Sequence, residues 1–371
     1  MHLGLFEQNH ILKMTTHSKN PKHPRHIVKK HGLQTIKIGP AVLPNPLCLA
    51  PMAGITDYPF RCLARSCGAG LVVSEMIASQ AIIRNSARSV RMASTAEKEF
   101  PLAVQISGSD PAVMAEAALI NESLGAAIID INMGCPQRKI VKTGAGASLM
   151  RDEVLAGKVI EAIVEAVSVP ATVKIRLGWD HKSINATRIA KIAQDSGASL
   201  VTVHGRTRSQ MFSGKADWSA IREVKEAVSI PVIANGDIQS PKDASLCIEV
   251  SGADGIMIGR GALGRPWLFD QILHFLETGE DKRPPGLEEQ YAITIRHFEH
   301  IVDFYGLPVG LWLSRKHLAW YTKGLHGSTL FRKSLNNTKS FNEVRDLLRR
   351  FYEALLTTPI SSDSPGSDGN A

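Results

Sequence analysis

The chain has 371 residues, 44% hydrophobic and 21% charged, which is enough apolar material for a large core and excludes wholesale disorder. Its formal net charge of +8 is concentrated at two places: residues 1–40 carry seven Lys/Arg against Glu7, and residues 311–350 carry nine against Glu343 and Asp346. Two basic ends on a mildly acidic body suit a polyanionic partner such as nucleic acid.

Five cysteines without a C-x-x-C pair speak against zinc and against a disulfide framework, so no metal is expected. No run approaches the roughly 18 apolar residues of a membrane span, and the first residues do not read as a secretory signal. A cytoplasmic protein with no membrane association and no evident obligatory protein partner is the simplest expectation.

In chain order, residues 1–33 are low in apolar content and read as a basic N-terminal arm without fixed structure. Short apolar runs rich in β-formers then recur at 47–52, 71–74, 102–106, 128–132, 172–175, 200–204, 232–235 and 255–258, each followed by a helix-length segment. Near-continuous hydrophobicity is what strands covered on both faces need. Eight β/α alternations predict a closed (β/α)8 TIM barrel over 34–280, with a doubly wound open sheet as the competing fold. After Pro284-Pro285 only helical periods remain, predicting a small all-helical domain over 286–358 that carries the second basic cluster. Within it, Trp312, Trp320 and Tyr321 are read as packing residues. Residues 361–371 offer nothing to bury and are expected to be a disordered tail.

A barrel of this kind works at the carboxyl ends of its strands. Polar and glycine-rich residues collect there: Pro51-Met52-Ala53-Gly54, Gln105, Asn132 followed by Gly134-Cys135-Pro136, Lys174 and Arg176, His204, Asn235-Gly236-Asp237, and Gly259-Arg260. Cys135 lies on a Gly/Pro-rich loop just past a strand, whereas Cys62, Cys67 and Cys247 fall in helical segments and are assigned to packing. Arg138 and Lys139 continue the Cys135 loop and are candidates to meet a phosphate backbone. A lysine inside a barrel mouth is costly to desolvate without an electron-rich partner, which Lys174 therefore anticipates. Glycines with an arginine after the last two strands form the usual phosphate site of such barrels. A phosphorylated ring cofactor of the size and polarity of flavin mononucleotide (FMN) matches this set.

The segments LAPMAGITDYPFR (49–61), INMGCP (131–136), VKIRLGW (173–179), HGRTR (204–208), ANGDI (234–238) and GADGIMIGRGALGRPWLF (252–269) together resemble the bacterial tRNA-dihydrouridine synthases, nearest their B-type branch. One departure is Phe212, where tyrosine is the family's pattern. The resemblance implies reduction of a tRNA uridine in the D-loop region to 5,6-dihydrouridine, with FMN as carrier, NADPH or NADH as electron source and tRNA as partner. It implies that hydride arrives at carbon 6 of the uracil and that Cys135 delivers a proton to carbon 5. Pro51, Met52, Ala53, Gln105, Lys174 and His204 would surround the flavin ring, while Asn235, Gly236, Asp237, Gly259 and Arg260 would hold its phosphate. Asn132, Arg176, Arg138 and Lys139 would contact the substrate. A flavin barrel acting on a free pyrimidine, of the dihydroorotate or dihydropyrimidine dehydrogenase kind, is the alternative; it gives no reason for the basic helical segment.

Overall fold

The computed structural model describes residues 35–93 and 97–357; the arm expected at 1–33 and the tail expected at 361–371 lie outside them. Eight parallel strands form the barrel: β1 Leu47–Leu49, β2 Leu71–Val73, β3 Leu102–Ser107, β4 Ile128–Met133, β5 Ala171–Arg176, β6 Leu200–His204, β7 Val232–Asn235 and β8 Gly255–Ile258. Each pairs with its successor and β8 pairs with β1, so the ring is closed and the open-sheet alternative falls. β1 stops before the expected residue 52 because Pro51 has no N–H to continue the ladder, and the Met52 carbonyl turns to accept from Ile55 and Thr56.

The two-residue side-chain period of a strand sorts the barrel into an outside and an inside. Outward residues such as Leu49, Val104, Ile129, Val173 and Val201 join the main core beneath the covering helices. Inward residues at the strands' amino ends, including Leu71, Ile128 and Leu200, cluster with Ile36, Ile38 and Leu43. Those last three belong to a hairpin, Lys37–Ile38 with Ala41–Val42, that plugs this end of the barrel. Sequence reading does not anticipate the hairpin, since two-residue strands carry no periodicity. Towards the carboxyl ends the same inward parity turns polar, through Asp130 and Thr172 to Gln105, Asn132, Lys174, His204 and Asn235, all buried.

Beyond the helix Leu268–Thr278, four helices (Leu287–Tyr305, Val309–Tyr321, Ser328–Asn337 and Phe341–Thr357) pack round their own core of Phe298, Leu318, Phe331, Leu335, Leu348 and Tyr352. They meet the barrel along a seam of aromatic and apolar side chains. Phe60 lies 5.6 Å from the rings of both His297 and His317, and Leu63 packs with Ile293 and Tyr321. Gly264 approaches so closely that an added Cβ would lie 2.3 Å from the Trp320 carbonyl oxygen. Lys316 donates across the seam to the Gly54 carbonyl. Tyr321 and half-buried Trp320 pack as expected, but Trp312 does not: it is 69% exposed, because it sits on the solvent face of its helix.

Candidate active site

The carboxyl ends of the strands open on a cavity of about 420 Å³, inside the usual range for small-molecule sites of about 300–1,000 Å³. Pro51, Met52, Ala53, Gln105, Lys174, His204, Asn235, Gly236, Asp237, Gly259 and Arg260 all line it, as do Cys135, Asn132 and Arg176. Arg138 and Lys139 do not; they are exposed on the short helix Arg138–Val141 just beyond Cys135.

Inward parity in β3, β4 and β5 builds a connected polar floor. Thr172 donates to Asp130 Oδ1 and Gln105 Nε2 to Asp130 Oδ2, each at 2.7 Å. Asn132 Nδ2 donates to Gln105 Oε1 at 2.7 Å. The other end of the Asn132 amide accepts from the Gly134 and Cys135 backbone N–H groups at 3.2 and 2.9 Å. Asn132 thus fixes the loop that carries the thiol. Gly146 closes the same loop from behind: its φ is +62° and an added Cβ would lie 2.8 Å from the Cys135 carbonyl oxygen, so only glycine fits. Arg176 ties this loop to the one after β6, donating to the carbonyls of Gly134, Thr207 and Met211 at 2.8 Å each.

Cys135 is half-buried, and burial pushes its thiol above the ordinary 9.0, with the Gln137 N–H, Arg176 and Lys174 only partly opposing this. The thiol therefore holds its proton at neutral pH. Lys174 donates to Asn235 Oδ1 at 2.9 Å, and Asn235 in turn donates to the Met257 carbonyl at 2.8 Å. Lys174 makes no ion pair among the described residues. Burial, aided by Arg176, brings its pKa down to about 8. His204 is held well below the ordinary 6.5 by burial and then by Lys174, Arg176, Arg206 and Arg260, so its imidazole is neutral.

The Asp237 carboxylate is engaged inside the protein. Oδ2 accepts from Arg206 at 2.6 Å and from the Ala216 N–H at 2.7 Å, and Oδ1 lies 3.6 Å from Arg260. By contrast, the Gly236 and Asp237 backbone N–H groups make no hydrogen bond within the described residues. Sequence reading missed Arg206, a buried member of the cavity wall that also reaches His204 Nε2 at 3.2 Å. The signal was present, since Arg206 continues the inward parity of β6 past His204. Phe212, noted in sequence only as a departure, is 47% exposed at the mouth, with the Arg176 and Arg260 guanidiniums 5.6 and 5.2 Å from its ring centre.

A closed barrel with a polar, cation-rich cavity at the carboxyl ends of its strands defines a (β/α)8 enzyme. Solved structures agree on the fold: histamine dehydrogenase from Rhizobium sp. superposes with a TM-score of 0.51 at 14% identity, over 73% of this chain and 51% of that one. The 6-hydroxypseudooxynicotine amine oxidase from Pseudomonas geniculata gives 0.52 at 16%, over 66% and 49%. The chain thus spans about half the length of these structural neighbours. Residues 48–357 match the dihydrouridine synthase (Dus) family, and the chain belongs to that family of oxidoreductases. A "probable tRNA-dihydrouridine synthase" from Rickettsia conorii is 50% identical over 87% of this chain and 98% of its own length. A "tRNA-dihydrouridine synthase B" from Pseudomonas aeruginosa is 46% identical over 86% and 96%.

Proposed function

We propose that this protein is a flavin-dependent tRNA-dihydrouridine synthase that uses FMN and NADPH or NADH to reduce a uridine of tRNA. The observation that carries the reading is the pairing, across one cavity, of a protonated thiol, Cys135, with a buried lysine, Lys174, that forms no ion pair among the described residues and feels the Asp130 carboxylate only at longer range. The relatives' names supply the substrate.

The residues present fit FMN. A buried ammonium with no carboxylate in contact suits the electron-rich edge of the ring, with Gln105 beside it and Pro51, Met52, Ala53 and His204 around it. The free N–H groups of Gly236 and Asp237, with Gly259 and Arg260, suit the phosphate. Asp237 would serve through its backbone, its carboxylate holding Arg206 and Arg260 in place, and Asn235 would serve chiefly by aiming Lys174. FMN, when bound, supplies the hydride for carbon 6 of the uracil.

The chain's own residues do the rest. Asn132 sets the Cys135 loop and presents a second amide proton to the uracil edge. Arg176 braces that loop and adds positive charge where the uracil carbonyls gain electron density. Cys135 holds a proton on Sγ and releases it to carbon 5, the nearby cations Arg176 and Lys174 favouring the thiolate left behind. Arg138 and Lys139, exposed on the rim, would meet the RNA backbone.

The test is incubation of unmodified tRNA with the FMN-loaded protein and NADPH, reading dihydrouridine by mass spectrometry. Cys135→Ala should keep the flavin absorbance and lose about 10²- to 10⁴-fold in rate, the usual worth of a positioned acid. A colourless protein, or a Cys135→Ala variant with undiminished rate, sinks the reading.

A further inference from the structure

Three segments leaving the carboxyl ends of neighbouring strands converge on one indole. Trp179 follows β5, the strand of Lys174 and Arg176, and the guanidiniums of Arg151 and Arg208 each lie 4.6 Å from its ring centre. Arg151 ends the 3-10 turn Gly146–Arg151, which is tied to the thiol loop by the Ala147 N–H donating to the Cys135 carbonyl at 3.1 Å. Arg208 follows His204 and Arg206, and its strand end is stapled to the Trp179 loop: the Arg208 and Ser209 N–H groups donate to the Gly178 and Trp179 carbonyls, both at 2.9 Å.

No carboxylate among the described residues answers these two cations. Among the described residues neither forms an ion pair, and the buried Nε of Arg208 has no hydrogen-bond partner. The acids nearest in sequence are engaged elsewhere. Asp152 caps the next helix through the Leu155 N–H, Glu153 takes Asn185 and Arg188, and Asp180 closes its own turn with Lys182 and Ser183. Two arginines stacked on one indole, without an ion pair among the described residues, on loops joined to those that carry Cys135 and His204, are arranged to receive an anion. Their planar forks match the geometry of a phosphate, and stacking has already fixed them, so little is lost in ordering them on binding.

We propose that Arg151 and Arg208, mounted on Trp179, form a clamp for a phosphodiester of the RNA backbone beside the nucleotide that enters the cavity. This rests on the function proposed above. The clamp is linked through Ala147 to the Cys135 side of the mouth, the side from which the target base is protonated, and an extruded nucleotide must trail its backbone over the rim.

The experiment measures tRNA binding by the FMN-loaded protein as a function of KCl, alongside NADPH KM, for wild type and for Arg151→Gln/Arg208→Gln. The double variant should bind tRNA about tenfold or more weakly, with the slope of log affinity against log salt reduced by about one, as for a lost phosphate contact. FMN affinity should not change. Arg208→Lys, which keeps the charge and loses the fork, should restore the slope while recovering only part of the affinity. Unchanged affinity and slope in the double variant overturn the clamp. So does a raised NADPH KM with intact RNA binding, which would assign the arginines to the dinucleotide's phosphate. A wild-type protein that neither binds tRNA nor forms dihydrouridine fails earlier and takes the proposed function with it.

Discussion

Lys174 is the residue on which the cavity's chemistry can be titrated. Burial holds its pKa at about 8 against an ordinary 10.5, so between those values the unfolded chain binds the proton and the folded one does not. Stability from this group therefore rises with pH across that window. Ligand binding has the opposite sign. A ring that accepts from Nζ needs the ammonium, so FMN affinity should be flat below about pH 8 and fall by about tenfold per pH unit above it, with a flat profile in Lys174→Met. Fluorescence titration of FMN across that range checks this; a wild-type profile without a break removes Lys174 from the cofactor site. Lys174 and Cys135 were legible as residues of the cavity wall because each stood at a strand end in a type that burial makes expensive or reactive. The wiring was not. That Asn132 would grip the Cys135 N–H, or that Asp237 would spend its carboxylate on Arg206, depends on side-chain directions that sequence spacing leaves open.

The strands were legible as elements because closure of the barrel buries both their faces, leaving uninterrupted apolar runs in the sequence. Their inward charged and amide residues gathered towards the carboxyl ends, which is why the same reading located the cavity. The N-terminal hairpin was missed for the converse reason, its strands being shorter than one period of alternation. The seam was equally silent in sequence, since one contact turns on a hydrogen atom. Gly264 combines φ +72° with backbone of Trp320 where a Cβ would stand. Gly264→Ala should cost on the order of 3 kcal/mol from overpacking and left-handed strain. Thermal unfolding should show it, and limited proteolysis should cut between the barrel and the helices sooner than in wild type.

At the scale of the whole molecule the basic charge is more selective than a count along the chain suggests. Lys316 is used at the seam, Arg315 donates to the Thr338 carbonyl and Arg349 pairs with Glu353. Lys323, Lys333, Lys339, Arg345 and Arg350 remain exposed and outside the described ion pairs. Lys333→Ala/Lys339→Ala/Arg350→Ala should weaken tRNA binding by about tenfold at physiological salt and flatten its salt dependence, leaving FMN binding unaltered. Equal tRNA affinity in that variant would move the RNA surface away from the helices.

The close approach of Gly264 to Trp320 has a consequence for choice of substrate. With backbone packed this close to backbone, we expect the span from the exposed basic residues to the Cys135 thiol to keep its length when RNA binds. A tRNA seated there, as proposed, would offer the cavity only the nucleotide lying one such span away. The protein would then select its uridine as a caliper does, by length, and lengthening or shortening the tRNA between the seat and the target should shift which base is modified.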